Sequence, residues 1–178
     1  LCILQGQKVA MAKSDTEVGS CGTSAVWSYD EATKELTISG TGTIEQTDDW
    51  YELEITKIVV QSGITEIGTY AFSNLGQVTE VKLPSTLEKV GTSAFENCRK
   101  LKKTTLPSSL KEISDSAFSN CTKLKTVKIP NSVTTIGYSV FRGCTSLSTV
   151  TLPDTMEAIP SMMFYKCKKL KSFTFPEN

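Results

Sequence analysis

Residues 124–146 read LKTVKIPNSVTTIGYSVFRGCTS, and this pattern recurs every 23 residues along most of the chain. One proline and one phenylalanine mark most copies, and Gln61 takes the place of the proline in the first copy. The prolines are Pro84, Pro107, Pro130, Pro153 and Pro176, and the phenylalanines are Phe72, Phe95, Phe118, Phe141 and Phe164. A fixed period is typical of a solenoid, in which stacked copies of one small unit build a shared core. The period therefore predicts the fold, and it favours an extended binding surface over an enclosed catalytic pocket.

The first part of each copy has the pattern of a short strand. In residues 124–130, Val127 and Ile129 alternate with Thr126 and Lys128, which is the two-residue period of a strand. Proline then ends the strand because it has no backbone N–H to donate. Stacked copies are expected to form a parallel sheet with neighbouring strands about 4.8 Å apart.

The second part of each copy predicts a turn followed by a short Ala-Phe-x-x-Cys segment. Gly68, Gly91 and Gly137 recur in the turn and suit a sharp change of direction. We expect the Ala-Phe-x-x-Cys segment to form one helical turn with its phenylalanine and cysteine inward. Two departures stand out: Thr104 occupies an apolar strand position, and Pro160 replaces the turn glycine.

The repeats of residues 55–178, about five and a half copies, strongly resemble the BspA-like leucine-rich repeats of bacterial and protozoan surface proteins. Residues 21–54 resemble that family's usual N-terminal module, because residues 26–29 and 36–39 alternate around a turn as a β-hairpin does. The resemblance implies a leucine-rich repeat solenoid: a right-handed β/α superhelix of 23-residue repeats, its parallel sheet on the concave face. A small N-terminal β-hairpin cap would cover the first coil, and Trp27, Leu36, Ile38 and Trp50 have the apolar surface to do so.

Residues 1–20 form an N-terminal extension ahead of the β cap of residues 21–54 and the repeats of 55–178. Residues 1–12 faintly resemble the end of a signal peptide with an Ala-x-Ala cleavage site, although the polar residues 5–8 interrupt it. No apolar run approaches the roughly 18 residues of a transmembrane helix, so no membrane span is expected in this chain.

The chain has no histidine, so the commonest general base and the commonest zinc ligand are both missing. No carboxylate pair or Ser–Lys dyad recurs at a distinctive spacing. We therefore expect no enzyme activity and no cofactor.

Four cysteines, Cys98, Cys121, Cys144 and Cys167, follow the repeat period. They are expected to lie in a line along the stack, whereas a tetrahedral zinc site needs four sulfurs around one point. The pattern predicts buried, reduced and metal-free thiols. Cys2 and Cys21 lie outside this series, and whether they form a disulfide is left open.

Charge divides the chain, although its formal net charge is zero. Residues 1–54 carry ten acids against three lysines, a net charge of −7, and residues 55–178 carry sixteen bases against nine acids, a net charge of +7. Lysines recur at outward strand positions, opposed there only by Glu80. These candidate partner-binding residues are Lys57, Lys82, Lys102, Lys103, Lys125, Lys128 and Lys171.

Two interpretations of these lysines remain open. They either keep an exposed sheet soluble and block edge pairing, or they form a basic strip for an anionic partner. Few aromatic residues lie among them, which disfavours nucleic acid. Combined with the resemblance, the pattern favours a non-catalytic, surface-exposed protein-binding or adhesion module that uses its concave strand face. Its partner would be a protein, host matrix proteins included, or an anionic glycan, and its location extracellular or at the cell surface. The alternative is a structural spacer that holds another domain away from the cell.

Overall fold

The computed structural model describes residues 16–171. The signal-peptide-like segment, Cys2 and Pro176 lie outside the described residues, so the predictions that rest on them stay predictions. The described strands, in chain order, are β1 Thr16–Ser20, β2 Ala25–Asp30, β3 Glu35–Gly40, β4 Gly42–Ile44, β5 Lys57–Val60, β6 Ile64–Ile67, β7 Glu80–Lys82, β8 Lys89–Val90, β9 Lys103–Thr104, β10 Glu112–Ile113, β11 Thr126–Lys128, β12 Thr135–Ile136 and β13 Thr149–Thr151.

Repetition of this unit gives a β-solenoid of about five turns. One sheet has the order β1-β2-β3-β5-β7-β9, and β11 pairs with β13 at the next repeat positions. A second sheet has the order β12-β10-β8-β6-β4. From β5 onward the pairing is parallel and joins residues 23 apart, as in Ile58↔Val81 and Val81↔Thr104. The predicted parallel stacking of repeats is thereby confirmed.

The N-terminal residues extend the first sheet. Strands β2 and β3 pair antiparallel from Ala25↔Gly40 to Asp30↔Glu35, and β3 pairs in parallel with β5. The four apolar residues predicted to cover the first coil are buried: Trp27, Leu36, Ile38 and Trp50. The hairpin pairing is thus present, whereas its role as a cap stays a prediction.

A column of stacked aromatic rings passes through the core, one ring per coil. The phenylalanine centroids from Phe72 to Phe164 follow one another at 5.4, 5.2, 5.7 and 6.0 Å, with interplanar angles of 24° or less. Trp50 continues the column, its ring centroid 5.0 Å from that of Phe72. Parallel strands fix this spacing, because each ring lies about one strand separation from its copy.

The predicted helical segment is a turn, and the β/α part of the predicted superhelix is not confirmed. The described residues contain a short 3-10 turn, Asp48–Trp50, and no α-helix. The backbone N–H of Phe72 donates to the carbonyl of Ala94 in the next coil, at 2.8 Å. Because alternate N–H groups bond to the next coil, they cannot form the bonds of a helix. Residues with positive φ, such as Tyr70 and Asn74, bend the chain instead. The right-handedness of the coil and the concave placement of its sheet stay predictions.

The turn glycines serve close packing rather than a special backbone conformation. Neither Gly68 nor Gly91 has a positive φ. A Cβ at Gly68 would lie 2.6 Å from the carbonyl oxygen of Ile44, and one at Gly91 would lie 2.8 Å from the carbonyl carbon of Gly68. The sharp-turn explanation was therefore wrong: a side chain here would collide with the backbone of the preceding coil.

Asparagines form a second column at the outer turn. The side-chain amide of Asn97 donates to Oδ1 of Asn74 at 2.9 Å, and that of Asn120 donates to Oδ1 of Asn97 at 3.1 Å. All three have φ near +60°, a conformation that asparagine tolerates better than most residues. Asn97 and Asn120 thus each donate to the asparagine of the preceding coil and support the turn.

Thr104 breaks the inner column of the first sheet. Its neighbours in register are Val81 on β7 and, one period on, Val127 on β11, yet Thr104 is only 9% exposed and its hydroxyl has no partner among the described residues. No backbone pairing joins β9 to β11 within residues 16–171. The sheet is therefore interrupted beside this buried polar residue.

We expect Phe118→Ala to lower the free energy of unfolding by about 3–5 kcal/mol, because it removes a buried ring from the middle of the stack. The control, Thr126→Ala on the exposed side of β11, should change it by no more than about 0.5 kcal/mol. Chemical denaturation measures both. A near-neutral Phe118→Ala would show that the column carries little of the stability.

Thr104→Val should raise the free energy of unfolding by about 1 kcal/mol, because a buried hydroxyl without a partner is replaced by a methyl of similar size. Urea denaturation compares it with Thr126→Val, the same replacement on the exposed side of β11, for which we expect no comparable gain. Destabilisation by Thr104→Val would mean that the hydroxyl has a stabilising partner in solution.

Candidate functional site: the strand face

The outward side chains of β5, β7, β9, β11 and β13, with Lys102 and Lys125 just before β9 and β11, form a surface that we call the strand face. The strand lysines Lys82, Lys103 and Lys128 are exposed, whereas the inward residue of each strand is buried. The structure thus places the predicted lysines of β7, β9 and β11 on the outward side of their strands. Lys171, at the end of the described residues, is exposed at the position equivalent to Lys102 and Lys125.

Lys57 differs from the other candidates because it is already paired. Its Nζ lies 2.6 Å from Oε2 of Glu35 on β3, and this hydrogen bond raises the pKa of the Lys57 ammonium. Glu80 follows in the same register row, between Lys57 and Lys103. The sequence analysis missed Glu35 because that residue belongs to the hairpin and not to a repeat. Lys57 is therefore the candidate least free to bind a partner.

The remaining six candidates make no ion pair within residues 16–171. Lys102 and Lys125 are equivalent residues of adjacent coils, and both are exposed. Like charges at neighbouring positions of a sheet repel and destabilise it. In the part of the chain that the structure describes, no ion pair compensates the charge of these six lysines.

The second sheet is the contrasting case, because its lysines are neutralised. Lys89 on β8 lies between Glu66 and Glu112 of the adjacent strands, at 3.5 and 3.7 Å, and Lys111 pairs with Glu88 at 3.0 Å. These exposed pairs contribute little stability individually. They show that lysine and glutamate can alternate along a column of equivalent positions in this chain. On the strand face this alternation ends at Lys103.

An open groove of about 820 Å³ lies on the strand face between β7 and β9. The β7–β9 pairing ends at Val81↔Thr104, so the chains separate after these residues. Three candidate lysines and one glutamate line the groove, together with hydroxyl-bearing and apolar residues: Lys82, Lys102, Lys103, Glu80, Thr79, Ser85, Thr104, Thr105, Ser108, Val81, Leu83 and Pro107. The sequence analysis missed Ser85 and Ser108, although their shared position one residue after the strand proline would have placed them side by side.

The cysteine column has no convergent metal geometry. The thiol of Cys98 donates to the carbonyl of Phe72 at 3.2 Å, and Cys121, Cys144 and Cys167 each donate to the phenylalanine carbonyl 26 residues earlier, at 3.1–3.3 Å. Each sulfur is thus held at its own level of the stack, and the prediction of buried thiols is confirmed. Cys21 is also buried, whereas its proposed partner Cys2 lies outside the described residues.

The repeat geometry agrees with the comparison with protein families. Residues 43–171 match the model of the BspA type leucine rich repeat region, in six copies. The chain belongs to this BspA-type leucine-rich repeat family. The match begins within β4, ahead of the first copy that the sequence analysis assigned at residue 55. A comparison with curated protein sequences finds no match.

Solved structures of bacterial leucine-rich repeat proteins share the fold of this BspA-type chain. One from Eubacterium ventriosum is 24% identical, with a TM-score of 0.75 over 89% of this chain and 43% of that one. One from Bacteroides ovatus is 27% identical, with a TM-score of 0.66 over 84% of this chain and 45% of that one. A leucine rich cell surface protein from Faecalibacterium prausnitzii is 23% identical, with a TM-score of 0.67 over 89% of this chain and 39% of that one. The BspA-type chain spans less than half the length of each of these proteins.

We expect a thiol reagent to leave Cys98, Cys121 and Cys144 of the native protein unmodified at neutral pH. The thiolate is the reactive form, and burial raises the pKa of Cys98 to about 12. Cys167, at the last described coil and with a pKa raised to about 11, should react first as the pH rises. Mass spectrometry after timed labelling measures the order, with urea-unfolded protein as the control in which all four react. Rapid modification of native Cys121 would show that the column opens to solvent.

The same raised pKa values predict a loss of stability at alkaline pH. An unfolded thiol has a pKa of 9.0, so the unfolded state ionises first and the contribution of the buried thiols is complete only below that pH. The free energy of unfolding should fall as the pH rises from about 9 towards the folded values. A Cys98→Ala/Cys121→Ala variant should show a shallower fall than the parent chain.

Proposed function

We propose that the chain is a non-catalytic adhesion module, exposed at the cell surface, that binds a protein or an anionic glycan through its strand face. The lysines of that face other than Lys57 carry the proposal, because they make no ion pair with any described residue, whereas Lys89 within the second sheet and Lys111 beside it are paired. Leucine-rich repeat families of this type are generally non-catalytic protein-interaction modules, and one structural neighbour is named as a cell surface protein. No helix within residues 16–171 is long and apolar enough to cross a membrane.

The strand face supports binding for two physical reasons. It is a broad, open surface, and the groove between β7 and β9 forms a depression in it. Its charge also produces a field that attracts anionic partners and speeds their encounter with the protein. Host matrix proteins and glycosaminoglycans are partners with that charge, and an extracellular location would give access to them.

Charge reversal at Lys102, Lys103, Lys125 and Lys128 to glutamate should weaken binding of the partner, mainly by slowing association. These residues are exposed, so the thermal transition should stay nearly unchanged. The effect should fade with salt, because the Debye length shrinks from about 10 Å at 0.1 M to about 3 Å at 1 M. Surface plasmon resonance against immobilised matrix proteins and glycosaminoglycans, across a salt series, measures both quantities.

The matched control reverses four lysines that lie off the strand face: Lys89, Lys111, Lys166 and Lys168. It changes net charge equally and should leave the association rate much closer to that of the parent chain. Equal losses in the two variants, or none in either, would show that the strand lysines only keep the sheet soluble. The spacer function would then be the better explanation of the fold.

A further inference from the structure

The strand face lacks the apolar anchors on which a folded protein partner usually depends. Binding energy between proteins concentrates in buried aromatic and arginine residues. Among the described residues the large exposed hydrophobic side chains are Val18, Val26, Tyr51, Tyr70, Tyr138, Met162 and Tyr165. None of them belongs to β5, β7, β9, β11 or β13. The face is therefore poorly suited to burying a protein surface, although its charge is well suited to an anion.

Hydroxyl groups fill the positions between the lysines. Thr105 follows β9 directly, and Thr126, Thr149 and Thr151 point outward on β11 and β13. Hydroxyls both donate and accept hydrogen bonds, so they match a ligand that is itself rich in hydroxyls. An alternation of ammonium and hydroxyl groups is complementary to a chain that alternates acid groups with hydroxyls, which is the chemistry of an anionic polysaccharide.

The groove between β7 and β9 concentrates this chemistry. Lys82, Lys102 and Lys103 line it against a single carboxylate, that of Glu80, so its net charge is positive. Ser85 and Ser108 line it beyond the strand ends. The pairing of β7 with β9 ends there after only two register pairs, and the groove lies beside that end.

We infer that the β7–β9 groove is a subsite for one acidic sugar of an anionic polysaccharide. The polysaccharide would extend from this subsite along the strand face, where Lys125 and Lys128 would bind its following sugars. The inference rests on the proposed function and narrows it from any anionic macromolecule to a glycan. The lysines neutralise the sulfate or carboxylate groups, and the serine and threonine hydroxyls bind the sugar hydroxyls. This division of roles separates a glycan site from a surface that attracts any polyanion.

The test measures the affinity of the purified chain for three probes of matched charge: a heparin oligosaccharide, a hyaluronan oligosaccharide and poly-glutamate. We expect both glycans to bind about tenfold more tightly than poly-glutamate at about 0.15 M salt, where exposed charges are substantially screened. Lys82→Gln/Lys103→Gln should weaken glycan binding about tenfold. The control Lys89→Gln/Lys111→Gln removes the same charge from the second sheet and should change affinity less than about twofold, because it alters only the distant field.

A charge-neutral variant tests the hydroxyls separately. Ser85→Ala/Thr105→Val/Ser108→Ala should reduce glycan affinity several-fold and leave poly-glutamate affinity unchanged, because it removes hydrogen-bonding groups and no charge. Circular dichroism and the thermal transition of each variant report whether it is folded. If the triple variant does not fold, Ser85→Ala/Ser108→Ala, which lies outside the strands, carries the same comparison.

The outcomes distinguish this inference from the function on which it rests. Equal binding of poly-glutamate and the glycans, or no effect of the hydroxyl variants on glycan affinity, would overturn the glycan subsite. An acidic protein that binds through the strand lysines would leave the adhesion function standing in that case. Failure of every probe and every matrix protein to respond to the strand lysines would overturn both.

Discussion

Exact superposition of each residue on its copy 23 positions later is the constraint on which the structure depends. Parallel pairing places equivalent residues about one strand separation apart, so every side chain has its own repeat as its nearest neighbour. Phenylalanine satisfies this constraint by ring stacking at 5.2–6.0 Å, and asparagine by donating its side-chain amide to the asparagine of the preceding coil. Cysteine satisfies it by donating to a carbonyl of the preceding coil. A residue type whose side chain interacts favourably with an identical side chain can therefore occupy the same position in every coil.

Charged residues cannot obey the same rule, because a column of one sign repels itself. The second sheet alternates sign from Glu66 to Lys89 to Glu112, and the first sheet begins in the same way from Glu35 to Lys57 to Glu80. After Lys103 the alternation ends, and Lys102 and Lys125 occupy the same position of adjacent coils. The backbone pairing between β9 and β11 is absent at this level. Like-charge repulsion and an interrupted sheet thus coincide where the chain departs from its own pattern.

The 23-residue period made much of this fold predictable. Contacts that do not follow the period could not be predicted from the sequence. Phe118 and Cys121 were placed inward correctly because an invariant column must be buried. The turn at Tyr70 was mistaken for a helix, since its shape comes from hydrogen bonds to the next coil and tyrosine has no preference for positive φ. The Glu35–Lys57 pair was missed because the register between hairpin and repeats is not periodic. The lysines of the strand face were predicted, but that they lack partners depends on neighbours that only the structure supplies.

Functional residues in such a molecule are best sought at the positions where a column changes its residue type. The residues that obey the period hold the fold, so their chemistry is explained by stability alone. Thr104 leaves a hydroxyl unpaired in the core, and the adjacent lysines leave positive charge unpaired on the surface. The hydroxyl faces the core and the lysines face solvent, on opposite sides of β9. An anion bound in the groove would lie close to Lys82, Lys102 and Lys103 and would offset the repulsion among their ammonium groups. The destabilisation of the free protein by these residues would then be offset in the complex, because a ligand that binds only the folded state stabilises it.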